Sequence, residues 1–257
     1  DNSYGIFGVL IRVSHDYGNT FSNAIMLSDP SIDSGFASVL AEGNDVYVAW
    51  ISNNSSNSNG DNNYGKTHGN VNSLYLRISN DGARVFNDTI NVSNNVISAP
   101  LLASDGAFVG LTWIDKREGV MFAHVMNNGV SSITNVNIAG DTSINDYKDM
   151  IKNLVVDVDG YNVSLLVLKY SGYNGIKDTQ LYEMIYINSK DGGSTFTNRV
   201  TIAYGSIDDI NMSMKGNTVY ITWGTKSCLD EQCSRVGIKY NYTKSDDLLS
   251  FNKAINL

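Results

Sequence analysis

Ser14-His15-Asp16-Tyr17-Gly18-Asn19-Thr20-Phe21 returns nearly intact as Ser189-Lys190-Asp191-Gly192-Gly193-Ser194-Thr195-Phe196. Two eroded copies stand at Ser79-Asn80-Asp81-Gly82 with Phe86, and at Ser245-Asp246-Asp247 with Phe251. Each copy follows a β-rich run and precedes a short Ile-containing one. The aspartate can accept N–H groups of its own turn, as Asx turns do. Gly18 and Gly193 permit the backbone such a turn needs, and Thr20 and Thr195 add a hydroxyl. Phe21 and Phe196 are expected to send a ring back into the core beside the hairpin.

Working outward, three segments share one alternating pattern that ends in Trp: 45–50, 108–113 and 218–223, with 162–168 a fourth lacking the Trp. Short β-branched and aromatic runs bounded by Gly, Asn and Asp are strand signals. A weaker strand precedes each one, and a third strand and a box hairpin follow. The same hairpin at the same point of each unit predicts an all-β chain, a β-propeller of four-stranded antiparallel blades, in preference to a sandwich. The units run approximately over 34–96, 97–143, 144–206 and 207–257, as one propeller domain across 1–257. The unit 97–143 keeps only the turn Met126-Asn127-Asn128-Gly129 in place of a box. Residues 1–33 supply a third strand, a box and a fourth strand, hence an N-terminal half blade. That half blade predicts an incomplete ring, either as an excerpt of a longer protein or with another subunit completing it.

Ser-x-Asp-x-Gly-x-Thr-Phe resembles the Asp-box, or bacterial neuraminidase repeat, of sialidase-like propellers. The resemblance implies a structural box on the face opposite the pocket. It also implies, for an active member, an arginine triad opening in an Arg-Ile-Pro-type motif, a Tyr nucleophile with a Glu, and an Asp acid/base. Guanidinium forks suit a planar carboxylate. Here the prolines are Pro30 and Pro100 and neither follows such a motif. Of the arginines (12, 77, 84, 117, 199 and 235), Arg12 and Arg77 precede box serines, which leaves Arg117 on the opposite side. Tyr182-Glu183 is adjacent in a strand and so points to two sides. The catalytic assignment from sequence is therefore none.

Bulk properties narrow the classes. A net charge of −8 among 257 residues offers no basic stripe for nucleic acid. No apolar run reaches membrane-spanning length, and Asp1-Asn2-Ser3-Tyr4 opens without a signal peptide. Cys228 and Cys233 are the only cysteines. They read as one disulfide in an oxidising compartment rather than as half a zinc site, since no second pair exists. N-glycosylation sequons stand at Asn53, Asn54, Asn87, Asn91, Asn162, Asn211 and Asn241. Together these point to an extracellular or cell-surface glycoprotein.

The box fixes which loops share the opposite face: 51–72, 114–120, 169–179 and 224–234, with the inter-blade acids Asp29, Asp33, Asp141, Asp146, Asp149, Asp208 and Asp209. Loops on a rigid scaffold carry function. The candidate ligand residues are Tyr64, His68, Arg117, Glu118, Tyr173, Asp146 and Asp208. No cofactor is expected. Ca²⁺ is compatible with the acidic loops, but no specific motif supports it. The resulting expectation is an extracellular non-catalytic module that binds protein or glycan, within a larger assembly of other subunits. The alternative is a fragment of a sialidase-like exo-glycoside hydrolase whose catalytic residues lie mostly elsewhere.

Overall fold

The alternating Trp strands are buried on both faces. In strand β4 (Asp45–Asn53) every residue from Val46 to Ser52 is buried, and β8 (Val109–Asp115) is buried throughout. A strand with only one covered face would alternate buried and exposed; continuous burial means a neighbour on each side. The computed structural model describes residues 6–53, 72–106, 108–138, 150–174, 179–229, 232–243 and 255–256, with backbone alone from residue 226 onward.

Strands β1 (Leu10–Ile11) and β2 (Ile25–Met26) form the half blade. Blade 1 comprises β3 (Ser34–Glu42), β4, β5 (Asn72–Ser79) and β6 (Ile90–Val96). Blade 2 comprises β7 (Leu101–Ser104), β8, β9 (Gly119–Met126) and β10 (Gly129–Val136). Blade 3 is β11 (Ile151–Asp159), β12 (Asn162–Asn174), β13 (Thr179–Ser189) and β14 (Asn198–Gly205). Blade 4 is β15 (Ile207–Lys215), β16 (Thr218–Leu229), β17 (Gln232–Thr243) and β18 (Ile255–Asn256). All ladders are antiparallel between sequence neighbours, and a Val96–Asp115 bridge joins blades 1 and 2. The first strands of successive blades lie side by side. The fold is a β-propeller of four full blades and an N-terminal half blade.

Period-two alternation divides each strand between two seams. Val46, Val48 and Trp50 pack on Val9 and Leu27 of the half blade, whereas Tyr47, Ala49 and Ile51 pack on Val109, Leu111 and Trp113 of blade 2. Phe122 joins Leu154, Leu165 and Ile185 between blades 2 and 3. Leu166, Tyr186, Ile221 and Trp223 fill the seam between blades 3 and 4. Burial pushes the Tyr186 hydroxyl up to about 12, and its partner there is Ser164 Oγ at 2.8 Å.

Carboxylates tie the blades near the axis. Asp105 accepts the Gly160 N–H in the next blade's turn, and Asp159 accepts the Gly216 N–H one blade further on. Asp157 takes the Met214 N–H at 2.6 Å. In sequence this is an acid–Gly pair closing the first strand: Glu42-Gly43, Asp105-Gly106 and Asp159-Gly160. In blade 4 the pair becomes Lys215-Gly216, and Lys215 reaches back to Asp159 at 2.8 Å. The Lys215 ammonium, followed by the Gly216 N–H, holds the Asp159 carboxyl below its usual range.

Several sequence expectations need correction. Residues 169–174 and 224–229 were assigned to loops, but they continue β12 and β16 as long hairpins. Asp208 and Asp209 lie within β15 instead of an inter-blade connection. The half-blade strands are only two residues each. Phe21 does not enter a core: it is 60% exposed, and among the described residues the seam beside it is filled by Val9, Leu27 and Trp50 without its ring.

Candidate functional site

The described boxes join the third and fourth strands of blades 1 and 3 and the two strands of the half blade. Gly82 N donates to Asn44 O at 2.8 Å and Gly192 N to Tyr161 O at 2.9 Å, so each box covers the turn between its blade's first and second strands. Antiparallel connection then sends the second-to-third hairpins to the opposite end, which is the candidate ligand face.

On that face blade 3 assembles a tyrosine cluster. Tyr170 and Tyr182 are direct partners across the β12–β13 ladder. Their rings lie 6.1 Å apart at 73°, and Tyr173 meets Tyr170 edge-on at 5.6 Å and 70°. A bulge between Tyr170 and Gly172, where Gly172 takes a φ of 131°, turns Tyr173 onto the ring of Tyr170. Tyr182 is buried, while Tyr173 is 59% exposed. Burial first, then the Tyr173 hydroxyl, pushes the Tyr170 pKa up.

Lys152 and Asp208 complete the cluster from two neighbouring first strands. Lys152 Nζ lies 4.6 Å from the centroid of the Tyr182 ring and 3.0 Å from Asp208 Oδ1. The cation–π contact contributes about 0.5–1 kcal/mol. The half-exposed ion pair adds at most about 1 kcal/mol after screening. Both strands are bulged here: Asp208 and Asn211 flank one irregularity, and Ile151 and Asn153 flank the other. Asp209 in β15 and Phe36 in β3 hold left-handed φ values of 48° and 50°. A bulky residue in that region is an outlier. Bulges at a rim re-aim side chains.

The candidate residues distribute as follows. Tyr173 and Asp208 come together through Tyr170, Tyr182 and Lys152. Arg117 and Glu118 stay on the blade 2 turn, where their N–H groups donate to Asp115 Oδ1 at 2.8 and 3.1 Å. Asn135 Nδ2 donates to the Glu118 carbonyl at 2.8 Å. Glu183, on the far side of its strand from Tyr182, accepts from Thr201 Oγ1 at 2.6 Å and lies 3.8 Å from Arg199. Asp29 is held below the usual carboxylate range by the Ser31 hydroxyl and N–H, and Asp33 accepts the Phe7 N–H at 2.8 Å. Tyr64, His68, Asp141, Asp146, Asp149, Asn54 and the box at Ser245, Asp247 and Phe251 lie outside the described residues. Lys152 was not singled out in the sequence; a lysine between Ile151 and Asn153 at the start of a strand carries no signal there.

Three boxes are fully described, and their bonds repeat. Ser14, Ser79 and Ser189 Oγ donate to the box aspartate at 2.8, 2.7 and 2.6 Å. They also accept the N–H of Gly18, Ala83 and Gly193 at 2.7, 3.0 and 2.9 Å. Thr20 and Thr195 donate through Oγ1 at 2.6 Å. The Thr20 hydroxyl and N–H, then the Ser14 hydroxyl, hold Asp16 at about 2, and the Ser189 hydroxyl, then Thr195, holds Asp191 at about 2.

Among the described residues, no group of three or more His, Cys, Asp or Glu side chains is placed to hold a metal, and no helix is long and apolar enough to cross a membrane. Residues 228 and 233 are direct Cα partners in the β16–β17 ladder.

No protein-family model matches the chain, and no curated protein matches it. Solved structures align with it at low identity. An exo-1,5-α-L-arabinanase from a bovine ruminal metagenomic library aligns at 11% identity with a TM-score of 0.47, over 85% of this chain and 77% of that one. The GH43 endo-arabinanase from Bacillus licheniformis gives 13% and 0.46, over 94% and 88%. A Cellvibrio cellulosa α-L-arabinanase complexed with arabinohexaose gives 10% and 0.45, over 84% and 75%. These are glycosidases other than sialidases.

Proposed function

We propose that this propeller is an extracellular binding module that takes a glycan or protein ligand on the blade 3 face. The observation that carries this reading is the tyrosine cluster: an exposed Tyr173 ring braced by Tyr170, beside the Lys152–Asp208 pair. Aromatic rings with polar groups at their edge suit a sugar face or a partner's apolar side chain. The carboxylates support binding over turnover. Asp115, Asp208 and Glu183 are each engaged by backbone N–H groups, lysine or threonine.

Binding of a panel of oligosaccharides and surface proteins to the purified chain tests the assignment. Tyr173→Ala is expected to weaken the interaction about tenfold, the worth of one aromatic contact. Hydrolysis of chromogenic glycosides by the chain would instead select the alternative, a fragment of a sialidase-like glycoside hydrolase, which the intact boxes favour. The extracellular assignment has its own test. Facing Cα atoms in an antiparallel pair are about 4.5–5.5 Å apart, within the range a disulfide spans. Thiol titration of the unreduced protein is expected to find no free thiol at Cys228 and Cys233. Two reactive thiols would remove the argument for an oxidising compartment.

A further inference from the structure

The opposite face holds a cleft that this function does not use, and it arises from the missing box. Blades 1 and 3 cover their first turn with a box. In blade 2 the third and fourth strands are joined by Asn127 and Asn128 alone. What remains is a cleft of about 420 Å³ between blades 1 and 2, lined by Glu42, Asp45, Tyr47, Phe108, His124 and Asn127 among others. Asn127 knits its floor: Nδ2 donates to Asp45 Oδ2 at 3.0 Å, and Oδ1 accepts from the Tyr47 hydroxyl at 2.8 Å. The Phe108 and His124 rings meet at 4.5 Å. Burial lowers the His124 pKa, favouring the neutral imidazole.

Glu42 distinguishes this place from its equivalents. Asp105 and Asp159, at the same turn position, are consumed by the glycine N–H of the next blade. The glycine facing Glu42 is Gly106, whose N–H is already taken by Ser104 Oγ at 2.9 Å. Glu42 Oε2 lies 3.7 Å from where a Gly106 β-carbon would stand. It makes no hydrogen bond or ion pair to another described residue. The cleft thus carries two carboxylates, a pair of rings, and no lysine or arginine in its lining.

We propose that this cleft binds an alkyl-guanidinium or alkyl-ammonium group, as arginine and lysine present it. Glu42 serves as counter-ion, and the Phe108–His124 pair receives the apolar stem. An anionic ligand would be repelled by both carboxylates. A cation gains from the charge.

Calorimetric titration of the folded chain with Nα-acetyl-arginine amide tests this, alongside the neutral citrulline analogue and an arginine-containing peptide. The arginine amide is expected to bind, more weakly at high salt, and about tenfold or more above citrulline, as for a desolvated charge contact. Glu42→Gln should lose about tenfold in affinity. Met126→Lys should abolish binding by supplying a tethered cation, since Met126 lines the cleft and is 51% exposed. Unchanged circular dichroism and melting of both variants would keep the comparison valid. A peptide that binds above the single amino acid identifies a protein source; equal binding identifies a small cation. Citrulline binding as well as arginine, or indifference to both substitutions, overturns the proposal.

Discussion

The box at 14–21 and the box at 189–196 are the same turn in two different surroundings. Inside the turn they are superimposable in chemistry: threonine N–H to aspartate at 2.8 Å in both, threonine hydroxyl to aspartate at 2.6 Å in both, and φ values of 86° and 85° at Gly18 and Gly193. Outside the turn they diverge. Phe196 stacks edge-on against Phe122 at 5.6 Å and 68°, while Phe21 is exposed. A β-carbon on Gly193 would overlap Cε1 and Cδ1 of Phe122, whereas one on Gly18 would meet nothing within 4 Å. The octapeptide therefore encodes its own conformation. The neighbouring blade decides how much stability rests on it.

That separation predicts a large difference from identical substitutions. Gly193→Ala should cost about 2–5 kcal/mol, combining about 1–2 for a β-carbon at positive φ with about 1–3 for overpacking against Phe122. Gly18→Ala should cost only the first part, about 1–2 kcal/mol. At about 2–4 °C per kcal/mol for a chain of this size, the two melting temperatures should separate clearly. Equal losses would mean that the seam at Phe122 contributes nothing through this box.

The comparison also shows what the sequence could disclose. Local hydrogen bonding by Ser, Asp and Thr is written in the octapeptide, and period-two burial is written in segments such as 45–50. Both survive in any surroundings, so box geometry and blade architecture were legible. Phe21 was misread because the box was taken to carry its ring into a core by itself, whereas burial depends on what the rest of the unit brings. The extensions at 169–174 and 224–229 were misread for another reason. Gly172 and neighbouring polar residues look like a loop, yet ladder hydrogen bonds use the backbone and accept such side chains once the partner strand continues. The acid–Gly pairs at 105–106 and 159–160 were visible but unread, since their meaning lies in the next blade's glycine. Of the candidate site, Tyr173 and Asp208 were named and Lys152 was not. The cleft at Glu42 was invisible because it follows from a box that is absent.

The third described box sharpens the division between turn and surroundings, through pH. Folded-state pKa values near 2 for Asp16 and Asp191 lie below the unfolded value of about 3.9. The folded protein therefore binds fewer protons than the unfolded chain through this window. The boxes' contribution is fully present above pH of about 4 and lost as the pH falls toward about 2. Asp81 is also lowered, chiefly by the Val85 N–H and the Ser79 hydroxyl. It has no hydroxyl in the position of Thr20, because Val85 stands there with 68% of its surface exposed. Val85→Thr should supply that donor without disturbing a core and raise the melting temperature slightly near neutral pH. Carboxyl carbon NMR titration should show the Asp81 pKa moving down toward those of Asp16 and Asp191. The extra stability should vanish in melts recorded below the lowered pKa. A gain that persists there would locate the effect in side-chain packing at position 85. A shifted pKa without a gain at neutral pH would mean that threonine at position 85 carries an offsetting cost in the turn.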